Sequence, residues 1–330
     1  WRWSTCCLGQ PKDIQGAHMS DSGPTISVVC CTHNREAFAR SHFEAMRSHL
    51  GEDIELIYAL DNCTDGTYAA LGALADGYPQ VRVLEHTGDR GLFNCRNFGV
   101  GHAHGTYIHF LDDDDSVEPG FYVSFIACMR EPEHRHIELY LSRLKVLSDK
   151  DGEYIHDVFS PAVQRLLTTK GGLDTISGDL FEFVLRGDIY FNGANAILST
   201  ELLRRYPYQG HMKKSADWLF ILEAALKQML TIGYCGTATA NYVLHADSMS
   251  TKPDKVLWNL QVFELLLEMA KARPDQLRAV EKTCALANFY AGYAIRKTDP
   301  KQSRLFYWRS FSLHAQIKPL LALMKSLAGA

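Results

Sequence analysis

The sequence is short of several features that define common protein classes, and each shortage removes a class. Apolar runs such as "ISVVCC" and "FYVSFIACM" fall far below the ~20 residues of a bilayer crossing, so no integral span is expected. The nine cysteines (6, 7, 30, 31, 63, 95, 128, 235 and 284) are odd in number and never form C-x-x-C. That argues against a disulfide framework and a structural zinc site, and for a reducing, cytoplasmic setting. A net charge of −4 and a pI of about 6.4 give no footprint of a nucleic-acid binder. There is no G-x-S-x-G, H-E-x-x-H or G-x-x-x-x-G-K-[ST], so serine hydrolase, zinc protease and P-loop readings lack their anchors. Repeats and low-complexity tracts are absent too. The opening "WRWSTCCLGQPKDIQGAHM" has no apolar h-region. Its "GAHM" reads as a cloning scar with Met19 as the natural start, so residues 1–18 are expected to be a tag remnant.

What is present suits one large domain, or a domain plus a smaller one. With 330 residues, 46% of them hydrophobic, the chain can bury a sizeable core. "TISVVCCTHN", "DIELIYALD", "QVRVLEHTG" and "TYIHFLDDDD" read as strands, and the segments between them carry helical periodicity. Strands alternating with helices predict an α/β fold with a mostly parallel sheet, and such sheets bind ligands at the carboxyl ends of their strands. "THNR", "DNCTDGT" and "DDDD" all fall at those ends. After Glu131 the pattern loosens, with a hairpin expected around Asp151-Gly152 and a strand then a helix in "FNGANAILSTELLRRY". "SADWLFILEAALKQM" reads as a helix that Ser215 or Asp217 can cap. From about residue 254 the chain reads as nearly all helix.

Four adjacent carboxylates at 112–115 repel one another, and a solvated loop is the ordinary fate of such a run. A strand tip presenting Asp112 and Asp114 on one side would instead offer hard oxygen ligands to Mg²⁺ or Mn²⁺ and a substrate phosphate. Asp61, at a strand end, can accept from a nucleobase N–H. Gly91 stands where the backbone needs freedom, and Arg96 suits either a phosphate or a structural pair with the acidic run. His245 in "YVLHADSMS" can complete a metal shell, although a lone histidine is more often simply hydrogen-bonded.

Taken in order, these motifs resemble the family 2 glycosyltransferases. "SVVCCTHNR", "LDNCTDGT", "DRGLFNCRN", "GTYIHFLDDDD", "ADWLFIL" and "HADSMS" follow the family's sequence of signatures over about residues 25–250. The resemblance implies a GT-A fold over residues 19–253, with a donor-nucleotide half to about 130 and an acceptor half beyond, followed by a helical region at 254–330. It implies a nucleotide-sugar donor, UDP favoured, gripped by Cys31, Thr32, Asn34, Arg35, Asp61 and Arg96, with Asp112 or Asp113 on the ribose. Asp114, with Asp112 and with His245 as a possible further ligand, would hold Mn²⁺ or Mg²⁺ in the manner of a DXD motif. Asp217 would be the general base of an inverting transfer to a carbohydrate, lipid-linked or small-molecule acceptor. Tyr190, Phe191, Tyr206 and Tyr208, whose rings suit sugar faces although core packing is their commoner use, would shape the acceptor side. Leu60, Asp89 and Ala216 depart from the family pattern, and the last leaves Asp217 as the only carboxylate of its pair. A sugar nucleotidyltransferase and a degenerate glycan-binding module are the rival readings. The final helix, with Leu320, Leu321, Leu323 and Met324 beside Lys318 and Lys325, serves either packing on the catalytic domain or peripheral membrane contact.

Overall fold

The computed structural model describes residues 25–245, 248 and 255–327. Residues 1–18, expected to be a tag remnant, lie outside the described residues, as does most of the loop "HADSMS". The first half of the chain alternates as its periodicity requires. It runs β1 (Ile26–Thr32), α1 (Glu36–Met46), β2 (Ile54–Asp61), α2 (Thr67–Ala75), β3 (Val81–His86), α3 (Leu92–His102) and β4 (Tyr107–Phe110). All eight residues of β2 and six of seven in β1 are buried, as expected of central parallel strands covered on both faces. The strands pair in parallel in the order β3-β2-β1-β4. The chain steps outward from β1 to β3 and then returns to the far side of β1. The carboxyl ends of β1 and β4 therefore flank a topological switch point, where open α/β sheets bind ligands.

The second half adds β5 (Ser116–Val117), α4 (Phe121–Arg130), β6 (Leu139–Ser148), β7 (Gly152–His156), α5 (Pro161–Gln164), β8 (Thr168–Lys170), β9 (Leu173–Gly178) and α6 (Phe181–Arg186). Then come β10 (Ala196–Ser199), α7 (Thr200–Arg205), α8 (Ala216–Lys227) and β11 (Leu230–Leu244). The expected hairpin is β6–β7, turning with Gly152 at φ 73°. β10 pairs antiparallel to β4 and to β6, and so carries the sheet across from the parallel first half. The 15-residue β11 runs alongside β6 and, through Ala240 and Asn241, pairs with β5 immediately after the acidic run.

Four helices close the chain: α9 (Lys255–Ala270), α10 (Pro274–Ile295), α11 (Pro300–Leu313) and α12 (Ile317–Leu327). α9 packs on α8, with Trp218 against Phe263 at 5.3 Å. Gln276 of α10 donates to Asp179, just ahead of α6. No helix among the described residues is long and apolar enough to cross a membrane.

Candidate functional site

The acidic run is not a strand tip. β4 ends at Phe110, and residues 112–115 form a turn closed by Asp115 N–H donating to the Asp112 carbonyl at 3.0 Å. Asp112 and Asp114 share a side because of the turn, not because of strand alternation. Each carboxylate has its own partner. Asp112 pairs with Arg96 at 2.8 Å, and Asp113 accepts from Thr32 and pairs with Arg35 at 2.6 Å. Asp114 meets Arg35 and His245, each at 3.1 Å, and Asp115 accepts from the Val243 N–H at 2.9 Å. Side-chain exposure separates their roles: 35% for Asp112 and 19% for Asp114, against 1% for Asp113. Burial pushes the Asp113 carboxyl up to about 6, and it raises the likewise buried Asp115 well above its ordinary value. Asp113 and Asp115 thus buttress the turn from inside, tying it to β1 and β11, while Asp112 and Asp114 face the open side.

Arg96 projects from α3 and is almost fully buried. Burial, the largest single effect, would weaken its charge, but Asp112 beside it together with Tyr208, Cys31 and Asp217 outweighs that and raises its pKa. Its guanidinium stacks over Phe110, 5.1 Å from the ring centre, and its Nε has no hydrogen-bond partner. A Cβ on Gly193 would stand 2.8 Å from the Phe110 carbonyl and 3.0 Å from Arg96 Nη2. Loop 190–195 is therefore pressed onto the floor of the site, and only a glycine fits there.

Asp61 ends β2 with both oxygens engaged. Oδ2 accepts from the Gly91 N–H at 2.9 Å, and Oδ1 meets Asn62 Nδ2 at 3.1 Å and His86 Nδ1 at 3.3 Å. Gly91 is held at φ 131° to aim that N–H. His33 Nδ1 donates to the Asp61 carbonyl, which leaves Nε2 to accept from Arg90. Asn34 accepts from the Thr64 backbone N–H at 2.7 Å and so binds the β1 turn to the turn after β2. Cys31 is half-buried, and burial together with the Cys95 thiol pushes its own thiol up. His33, Asn62, His86, Arg90 and Gly193 were not singled out from sequence. Histidine 33 and arginine 90 stand inside the recognised motifs, but their convergence on Asp61 needs a fold.

Asp217 lies in the first turn of α8, half-buried, and accepts from the Trp218 N–H at 2.8 Å. Burial raises its pKa, with Arg96 opposing and Asp112 adding to the rise. Neither expected cap forms at the head of α8. Ser215 occupies the N-cap position in the left-handed region (φ 61°), and its hydroxyl turns to Asn259 at 3.2 Å. Strain of that kind, in a non-glycine residue, collects at functional sites. Of the four aromatics suggested for the acceptor side, Tyr208 is in the core against Phe93, Phe110 and Phe220. Tyr206 donates to Gln228. Tyr190 stacks on His156 at 4.2 Å, and Asp217 is near enough to raise its hydroxyl further. Phe191 is half-buried beside it.

Among the described residues no group of three His, Cys, Asp or Glu side chains can hold a metal. Asp114 Oδ2 and His245 Nε2 nevertheless lie side by side, 3.1 Å apart. One oxygen and one nitrogen donor fit Mn²⁺ or Mg²⁺ when substrate phosphate oxygens supply the rest of the shell.

Residues 27–137 match the family described as Glycosyl transferase family 2. An uncharacterised glycosyltransferase of Haemophilus influenzae is 29% identical over 243 residues, covering 73% of this chain and 88% of that one. Several other curated relatives are matched over only 28–39% of their own length. Among solved structures, S. aureus TarS 1–349 in complex with UDP-GlcNAc shares the fold at a TM-score of 0.61 with 15% identity, over 92% of this chain and 80% of that one. The mannosyltransferase PcManGT of Pyrobaculum calidifontis, in complex with GDP-Man and Mn²⁺, shares it at 0.52 with 13% identity, over 93% and 85%. The fold is that of GT-A glycosyltransferases, and residues 27–137, with these motifs in this order, are similar to the family 2 glycosyltransferases.

Proposed function

We propose that the chain transfers a sugar, with inversion, from a nucleotide diphosphate sugar to an acceptor hydroxyl. The observation that carries this reading is the gathering of Arg96, Asp112 and Asp217 at the switch point of the sheet, with Asp114 held by Arg35 in the same acidic turn. Asp61, with Gly91 and His86 around it, is suited to a nucleobase edge. Asp112 on the open side takes the ribose in preference to the buried Asp113. Asp114 and His245 would hold Mn²⁺ or Mg²⁺, whose chemistry there is Lewis-acid neutralisation of the departing diphosphate. Arg35, now on Asp114 and Asp113, and Arg96, now on Asp112, are each one side-chain movement from a phosphate. Asp217 takes the proton of the acceptor hydroxyl as it attacks, help worth ~10²–10⁴-fold. Loop 190–195, with Tyr190 beside Asp217, bounds the acceptor side, where a carbohydrate, lipid-linked or small-molecule hydroxyl would enter. UDP is the favoured nucleotide. The unpaired thiols among the described residues support a reducing, cytoplasmic site of action.

Thermal stabilisation by UDP-, dTDP- and GDP-sugars, with Mn²⁺ and with EDTA, tests the donor and the metal together. A shift with a UDP-sugar in Mn²⁺, lost in EDTA, is expected. A larger shift with a GDP- or dTDP-sugar would overturn the UDP preference, and full turnover in chelator would remove the metal. NMR of the released anomer decides inversion.

A further inference from the structure

We propose that the outer face of the C-terminal helices docks on an anionic lipid surface. The inference stands apart from the transferase reading, because it uses none of the cleft residues. α10 exposes Leu286, Tyr290 and Tyr293 at 50–58%. Their spacing puts them on one stripe, which the exposed Lys282 and Lys297 extend at either end. α11 repeats the arrangement, with exposed Lys301, then Leu305 at 61% and Trp308 at 57%, again on one stripe. α12 exposes Leu321, Met324 and Leu327 at 50–63%, with exposed Lys318 and Lys325 beside them. These helices are already satisfied on their inner sides. Ser303 and Ser310 of α11 donate to the carbonyls of Gly292 and Ala285 on α10, and α12 packs on α11. The apolar residues are therefore surplus to the core. Large apolar side chains repeated on the surface of three packed helices mark an interaction face.

Charge selects the occupant. Residues 274–330 carry nine Lys and Arg against three Asp and Glu, in a chain whose net charge is −4. Of those three acids, Asp275 is paired with Arg273 and Asp299 caps α11. A second copy of the chain would bring two faces of the same positive sign together. An anionic headgroup layer offers the opposite sign, with an acyl boundary for Leu305, Leu321 and Met324. Tyr290, Tyr293 and Trp308 have the amphipathic rings that settle at such boundaries. Arg296 already lies 3.7 Å over the Tyr293 ring, so a cation and an aromatic reach the surface together.

The test is sedimentation of the full chain with phosphatidylcholine vesicles, with and without phosphatidylglycerol. Binding only to the phosphatidylglycerol vesicles, weakened by salt, is expected. Lys297→Glu with Lys301→Glu, and separately Leu305→Ser with Trp308→Ser, should each lower the bound fraction at least about tenfold. Thermal melting should stay unchanged, since all four side chains are exposed. If the apolar pair melts early, Leu321→Ser with Met324→Ser on α12 probes the same face. Absence of wild-type binding, or binding indifferent to all three pairs, overturns the proposal. So does a dimer in sedimentation velocity that the Leu305→Ser/Trp308→Ser pair dissolves, because the face would then belong to a second copy.

Discussion

Asp217, half-buried, and Asp113, buried, are both carboxylates with raised pKa values, yet they occupy opposite positions in the site. Asp113 is locked by Thr32 and Arg35, whereas Asp217 accepts only from the Trp218 N–H among the hydrogen bonds described. Asparagine can still accept from that N–H but cannot take up a proton. Asp217→Asn is therefore expected to bind a nucleotide-sugar normally, as thermal shift would register, while transferring at least ~100-fold more slowly. Its folded pKa lies above the unfolded value, so ionisation of Asp217 costs stability as pH rises. The asparagine variant should accordingly melt no lower than wild type at neutral pH. Near-normal turnover would return Asp217 to a structural part, and neither alternative carboxylate is well prepared to replace it. Asp188 is paired with Arg186 and Glu223 with Lys227.

Among the elements, α3 and α8 bring chemistry to the cleft by different means. α3 lies so close to β1 that a Cβ on Gly99 would stand 2.5 Å from Val29 Cγ1. That approach sets where Arg96, one turn earlier, meets Asp112. Gly99→Ala should destabilise by ~1–3 kcal/mol, the usual range for overpacking, measured by urea melts. Val29→Ala in the same chain should restore part of the loss and part of the activity; no restoration would mean that the contact does not govern helix position. The helical patterning of α3 and α8, and where each begins, were legible from periodicity, but the cap of α8 was not. Ser215 reads as a cap from its residue type, yet its left-handed backbone points the hydroxyl at Asn259, 44 positions away. A local preference worth ~1 kcal/mol yields to tertiary packing of α9 on α8.

For the molecule as a whole, two buried histidines set an acid limit. His42 (3% exposed) bonds Tyr58, and His109 (0%) lies between the Tyr122 hydroxyl and the Ala194 carbonyl. Burial lowers each from 6.5 to about 4. The unfolded chain therefore binds protons that the native chain refuses as pH falls from 6.5 towards 4. Stability contributed by these neutral rings is complete above 6.5 and is lost through that window, of order 3 kcal/mol for each. The carboxylates Asp113, Asp115 and Asp217 pull the other way, so the effect is read as a difference. His42→Gln and His109→Gln should each flatten the fall in stability between pH 6.5 and 4 relative to wild type. Parallel curves would mean that the rings titrate normally.

By itself the sequence determined the parallel first half, the order of its motifs, the β6–β7 hairpin and the helical C-terminus. Each of these follows from short-range periodicity and turn chemistry, which neighbouring residues settle among themselves. It also carried the family resemblance, because those motifs keep their order along the chain. Only the tertiary structure decided which of four adjacent carboxylates faces the cleft. Asp113 is turned inward by Thr32, 81 positions away, and Asp115 by the Val243 N–H, 128 positions away. Likewise Gly193 meets Arg96, and His245 meets Asp114, only because β10 and β11 cross the sheet to reach β4 and β5. A run of like charges has no local preference for one orientation over another, so long-range partners make that choice.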